Sequence, residues 1–108
     1  MSSAIATSPN ENLHQRFAQL VSEWKQQSRY MSNSAQMALL KSYQRIIGMG
    51  TPAVTLLLSE LQREPDHWFW ALESITGHNA VRPEHAGQIK MMADDWIQWG
   101  LEQALLAA

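Results

Sequence analysis

The segment Gly48-Met-Gly-Thr-Pro52 constrains the fold more than any other part of this chain. Glycine ends a helix at little cost because it accepts the left-handed conformation just past the last turn. Threonine can cap the helix that follows. Proline suits its first position, where an amide hydrogen has no partner in any case. One helix is therefore predicted to stop here and another to start at once, over Pro52–Arg63, burying Val54, Leu57, Leu58 and Leu61. Two helices joined by so short a turn are antiparallel neighbours, and each shares its apolar face with further helices.

The same signals organise the rest of the chain. Leu13, Phe17, Leu20, Val21 and Trp24 recur at steps of three and four, marking a helix from Asn10 to about Gln27 with Asn10 or Asn12 as its cap. Residues 1–9 are small and polar and read as a disordered arm, which leaves a single helical domain over residues 10–108. Ser28–Ser34 reads as a loop. Ser34 is the expected cap of a second helix running to about Gly48, with Met37, Leu40, Tyr43 and Ile47, and their neighbours Leu39 and Ile46, as its apolar positions.

Downstream, Pro65 halts the third helix and Asp66 caps a fourth, His67–Thr76, closed by Gly77. The loop 78–84 leads through Pro83 and Glu84 into a fifth helix reaching towards Leu106. Its apolar face holds Ile89, Met92, Trp96 and Trp99, and Gly100 ends or bends it. No segment alternates with a period of two over a useful length, so the expected class is all-α: a compact bundle of about five helices with the antiparallel hairpin at its centre.

Ile46-Ile-Gly-Met-Gly-Thr-Pro-Ala-Val-Thr-Leu-Leu-Leu-Ser-Glu-Leu61 resembles the turn and second helix of a HEAT-like repeat. Asp66-His-Trp-Phe-Trp-Ala-Leu-Glu-Ser-Ile-Thr-Gly77 is similar to the first helix of a following unit, and its glycine end lies about one repeat length after that at Gly48. The likeness spans residues 43–77. It implies stacked helical hairpins used as a scaffold or binding surface, with the flanking helices as caps, and it identifies no ligand. The stretch Pro65-Asp-His-Trp-Phe-Trp-Ala-Leu-x-x-Ile-Thr-Gly77, with Met92-x-x-x-Trp-x-x-Trp-Gly100, also resembles a group of small bacterial and phage-associated proteins. That likeness implies a bacterial or phage source and no activity.

Composition narrows the function. With 108 residues, 45% of them hydrophobic, the chain is the size of one domain with a modest core. The formal net charge is −2 and the lysines and arginines are scattered, whereas nucleic-acid binding usually shows as clustered positive charge. The absence of cysteine excludes disulfides, thiolate zinc sites and a cysteine nucleophile. The first nine residues have neither a basic start nor an apolar stretch, and no apolar run approaches the roughly 18 residues of a membrane span. A cytoplasmic location without membrane contact is expected.

The aromatic run Trp68-Phe69-Trp70 is the most informative local feature. Consecutive helical residues project about 100° apart, so the three cannot all face one core stripe. Either the run forms a wide core wedge, or one or two of its members form a partner-binding patch. Trp68 or Phe69 is the expected outward residue, because Trp70 falls in register with Leu72 and Ile75. Trp96 and Trp99 lie on neighbouring turns. They are read as core packing, or as part of the same partner surface if they join the Trp68–Trp70 run in one cluster.

Other chemistry is sparse. His67 and His78 flank one helix with roughly 16 Å of rise between them, so they are not expected to share a metal, and no cofactor is expected. Asp94 and Asp95 diverge around a helix, and no nucleophile elbow or phosphate-cradling loop occurs. Arg82 with His78 and His85 makes the loop before the last helix locally basic, and Arg45 adds a further cation. These four are the candidates for an anion or nucleic-acid contact, against the plainer reading of a solvated connector.

The chain is therefore read as a small protein–protein interaction module and not an enzyme. The expected setting is an antitoxin-like, immunity-like or phage accessory protein. The alternative is a nucleic-acid-associated regulator using Arg29, Lys41, Arg45 and Arg82, with an enzyme a distant third.

Overall fold

A computed structural model describes residues 9–107. Six α-helices follow in order: α1 (Pro9–Gln27), α2 (Ser34–Ala38), α3 (Lys41–Gly48), α4 (Pro52–Arg63), α5 (Phe69–Thr76) and α6 (Ile89–Glu102), with one 3₁₀ turn at Pro83–His85. The described residues contain no strand, so the all-α bundle is established. No helix among them is long and apolar enough to cross a membrane. Residues 1–8 of the expected N-terminal arm lie outside the described residues, and Pro9 already belongs to α1.

The Gly-Thr-Pro turn ends one helix and starts the next as expected, but the two do not pack on each other as the expected antiparallel pair. Gly50, not Gly48, takes the left-handed conformation (φ 75°). Thr51 contributes its carbonyl to Val54 N (3.0 Å) but no side-chain cap, while Ala53 N reaches Gly50 O (2.9 Å). From this turn α3 packs chiefly on α1 and α5, and α4 chiefly on α6 and α5. The buried faces meet in one core that includes Phe17, Leu20 and Trp24 of α1, Tyr43 and Ile46 of α3, and Leu57, Leu58 and Leu61 of α4. Gly100 does not end α6, which runs on to Glu102, and it lets the helix approach α4: a Cβ there would stand 2.7 Å from Leu58 Cδ1.

Three expected boundaries are corrected. The helix expected from Ser34 to Gly48 breaks at Leu39–Leu40, and Asn33 rather than Ser34 caps its first half, its side chain accepting from Gln36 N (3.2 Å). The break is tolerated because the carbonyls it strands find donors. Trp24 Nε1 donates to Met37 O (2.9 Å) and Gln44 Nε2 to Ala38 O (2.7 Å). Leu39 is left exposed, and Leu40 and Ile47 are half-buried. The last helix does not start at Pro83. That residue opens a 3₁₀ turn, and Gly87, at φ 86°, interrupts the helical path so that α6 begins only at Ile89.

The third correction concerns α5, which starts at Phe69 rather than His67. Asp66 accepts from the adjacent His67 N (2.8 Å) but caps no helix. Its expected role falls to Tyr43, far away in sequence. The Tyr43 hydroxyl accepts from Ala71 N (3.0 Å), one of the amides a helix start leaves unpaired, and donates to His67 O (2.9 Å). Burial pushes the phenol above its ordinary pKa, so the hydroxyl keeps the proton it donates. Tyr43→Phe should cost about 1–3 kcal/mol, the penalty for a buried amide left without an acceptor. The check is a lower urea midpoint with an unchanged slope, and an unchanged midpoint would refute this role.

Candidate functional site

Tyr43 also fixes where the aromatic run points. Its ring lies 5.4 Å from that of Trp68, nearly parallel at 11°, and Trp24 closes the triad at 4.4 Å from Trp68 and 5.6 Å from Tyr43. Trp68 is fully buried although its Nε1 has no hydrogen-bond partner among the described residues. Apolar burial decides this. An indole hides on the order of 200 Å², worth roughly 5 kcal/mol, against about 1–3 kcal/mol for one unpaired N–H.

With Trp68 held inward, Phe69 faces the core at 7% exposure and Trp70 turns out at 53%. The expectation that Trp68 or Phe69 faces outward is therefore corrected. Trp70 shares its helix face with Glu73 and Ser74, both exposed, rather than with the buried Leu72. The polar residues of the segment carried the correct register.

Trp70 stands at an apolar cleft of about 150 Å³. Phe69, Ile89 and Met92 supply its apolar surface, His67 lies beside them, and Ser34 of α2 and Gly87 of the preceding loop complete the lining. Several elements build this place. The Tyr43 bridge orients the start of α5, and the interruption at Gly87 leaves the first turn of α6, with Ile89 and Met92, facing Phe69 and Trp70. Ile89 and Met92 are legible in the sequence as one apolar stripe, but their pairing with Trp70 is not. Ser34 and Gly87 carry no sequence signal for it.

Trp96 and Trp99 form a separate cluster and do not join the Trp68 triad. Trp96 is buried and meets half-buried Trp99 edge-on at 5.3 Å, and His78 stacks on Trp99 at 5.6 Å and 21°. This packing fastens the loop after α5 to the last turns of α6.

Three of the four candidate anion contacts gather beside Asp95: His78 and Arg82 line one depression with it, and His85 and the Arg82 amide both meet its carboxylate. Arg82 pairs with Glu84 (2.9 Å), His85 Nδ1 lies 2.8 Å from Asp95 Oδ2, and His78 is engaged by Trp99. Arg45 sits apart on α3, in a depression it shares with Arg16 and Lys41. Arg29, in the turn after α1, lies over the Tyr30 ring at 5.4 Å. Among the described residues no group of three or more histidines and carboxylates is placed to hold a metal ion.

Asp95 is the anchor of the loop before α6. Its carboxylate accepts from Arg82 N (3.0 Å) as well as meeting His85. Partial burial opposes its charge, but these hydrogen bonds and the nearby positive groups win and hold its pKa below the ordinary aspartate value. Comparison of the chain with protein families, curated proteins and solved structures finds no match.

Two outcomes follow from this geometry. Trp68→Ala should cost about 3–5 kcal/mol, whereas Trp70→Ala should cost about 1 kcal/mol or less. Denaturant unfolding separates the two, and equal losses would contradict the assignment of faces. For Asp95, the lowered folded-state value means the unfolded chain takes up its proton first as pH falls. The anchor's contribution is whole above the ordinary aspartate value, about 3.9, and is lost as pH drops through the lower folded value. The Arg82 amide resonance should report this acid titration and lose it in Asp95→Asn.

Proposed function

We propose that the protein is a small interaction module that captures an apolar side chain of a partner protein in the cleft beside Trp70. The observation that carries this reading is Trp70 itself. It is a large aromatic left half-exposed at the mouth of an apolar cleft, whereas Trp24, Trp68 and Trp96 are buried. Tryptophan is the residue most enriched where binding energy concentrates in interfaces. A cavity near 150 Å³ is of the size that accepts one benzene-sized group, so the cleft suits a single leucine, methionine or phenylalanine side chain. Of the residues expected to bind a partner, Phe69 and Trp70 line this cleft, Trp68 lies buried behind them, and Trp96 and Trp99 belong to the separate cluster with His78.

The likeness of residues 43–77 to a HEAT-like unit fits such a role, because those repeats serve as scaffolds and binding surfaces. With the likeness to small bacterial and phage-associated proteins, it favours a cytoplasmic antitoxin-like, immunity-like or phage accessory protein. The reading does not require catalysis: the cleft's lining offers one histidine, His67, and no carboxylate.

A photo-reactive amino acid placed at position 70 in the producing cells tests the proposal. A discrete protein adduct is expected, identified by mass spectrometry, and it should disappear when Met92→Trp fills the cleft. The same adduct from a photo-reactive residue at exposed position 62, or its persistence in the filled variant, would sink the reading.

A further inference from the structure

We propose that the basic depression between α1 and α3 docks an acidic segment of a protein, whose carboxylates pair with Arg16, Lys41 and Arg45. The depression encloses about 560 Å³, and among the described residues its lining includes these three cations, Leu13 and Met49, and no acidic residue. Elsewhere on the surface the lysines and arginines other than Arg29, which lies over the Tyr30 ring, are neutralised within the chain. Lys25 reaches Glu60 and Glu64, Arg63 reaches Glu60, Arg82 reaches Glu84, and Lys90 reaches Asp94. Among the described residues Arg16, Lys41 and Arg45 have no such partner, and all three are exposed.

Lys41 and Arg45 are four residues apart on α3, the spacing at which like charges repel across one helical turn. Arg16 adds a third positive charge from the neighbouring helix. In a chain of net charge −2 this is a local concentration of positive charge uncompensated among the described residues, and an incoming pair of carboxylates would relieve it. The exposed stripe of α3 is about 12 Å long, the rise of a two-turn helix. Half-buried Leu13 and Met49 provide apolar contact for a segment carrying an apolar residue between its carboxylates. The lining has no aromatic ring on which a base could stack, and three cations are few for holding nucleic acid against salt. A protein segment therefore fits better than a nucleic acid. No residue lines both this depression and the Trp70 cleft, so the two surfaces stand or fall separately.

The test is selection from a displayed library of random peptides against the whole protein. Peptides enriched in Asp and Glu at steps of three or four around an apolar residue are expected. Their affinity should fall about ten-fold as salt rises from roughly 0.05 to 0.5 M. The enrichment should vanish for the double variant Lys41→Glu, Arg45→Glu, weaken for Arg16→Gln, and persist for Trp70→Ala, with unchanged circular dichroism confirming that each variant folds. The proposal is overturned by selection without acidic enrichment, or by enrichment that survives the charge reversal. Tighter binding of a short duplex DNA than of the selected peptides, lost in the same variants, would also overturn it.

Discussion

A single hydroxyl sets the geometry on which the candidate site depends. Tyr43 Oη bridges His67 O and Ala71 N, the two ends of the stretch that contains Trp68, Phe69 and Trp70. Between two fixed points so close together, the helical rotation leaves little choice about which aromatic faces the core. The ring beneath that hydroxyl stacks on Trp68 and locks the choice. Cap, register and exposed tryptophan thus share one cause, and it lies in a different helix from the aromatics it orders.

The surface has a similar economy. Most charges are matched locally, as around Lys25 and at the Arg82–Glu84 and Lys90–Asp94 pairs, and exposed pairs of this kind add little stability. Their effect is to flatten the field over much of the molecule. Against that background, the apolar cleft at α5–α6 and the basic depression at α1–α3 differ from the rest for opposite reasons, one through exposed aromatic area and the other through uncompensated charge.

The fold was legible in the sequence where local chemistry decides it. Pro52 and Arg63 bound α4 in both the reading and the structure, α1 ends at Gln27 as its periodicity indicates, and Gly77 closes α5 in the left-handed conformation. It was not legible where a distant residue decides it. No glycine or proline marks the break at Leu39–Leu40. The break persists because Trp24 and Gln44 supply donors from outside α2. Likewise Asp66 carries a strong local capping signal, yet the first turn of α5 takes its acceptor from Tyr43. The cleft was hidden for the same reason, since its lining comes from α2, the segment 67–70 and the start of α6. The facing of Trp70 is legible in Glu73 and Ser74, three and four residues on, which mark the solvent side of the helix.

The missing side chain at Gly100 has a mechanical meaning. It lets the far end of α6 sit against Leu58, with Trp96 and Trp99 clamped nearby, so that end of the rod is a fixed bearing. Ile89 and Met92 ride on the opposite end, the former about 16 Å along the axis. A side chain at position 100 would have to displace Leu58 Cδ1 or lift this end of α6 off α4, so the seating of the helix whose first turn walls the cleft depends on a hydrogen in place of a methyl group.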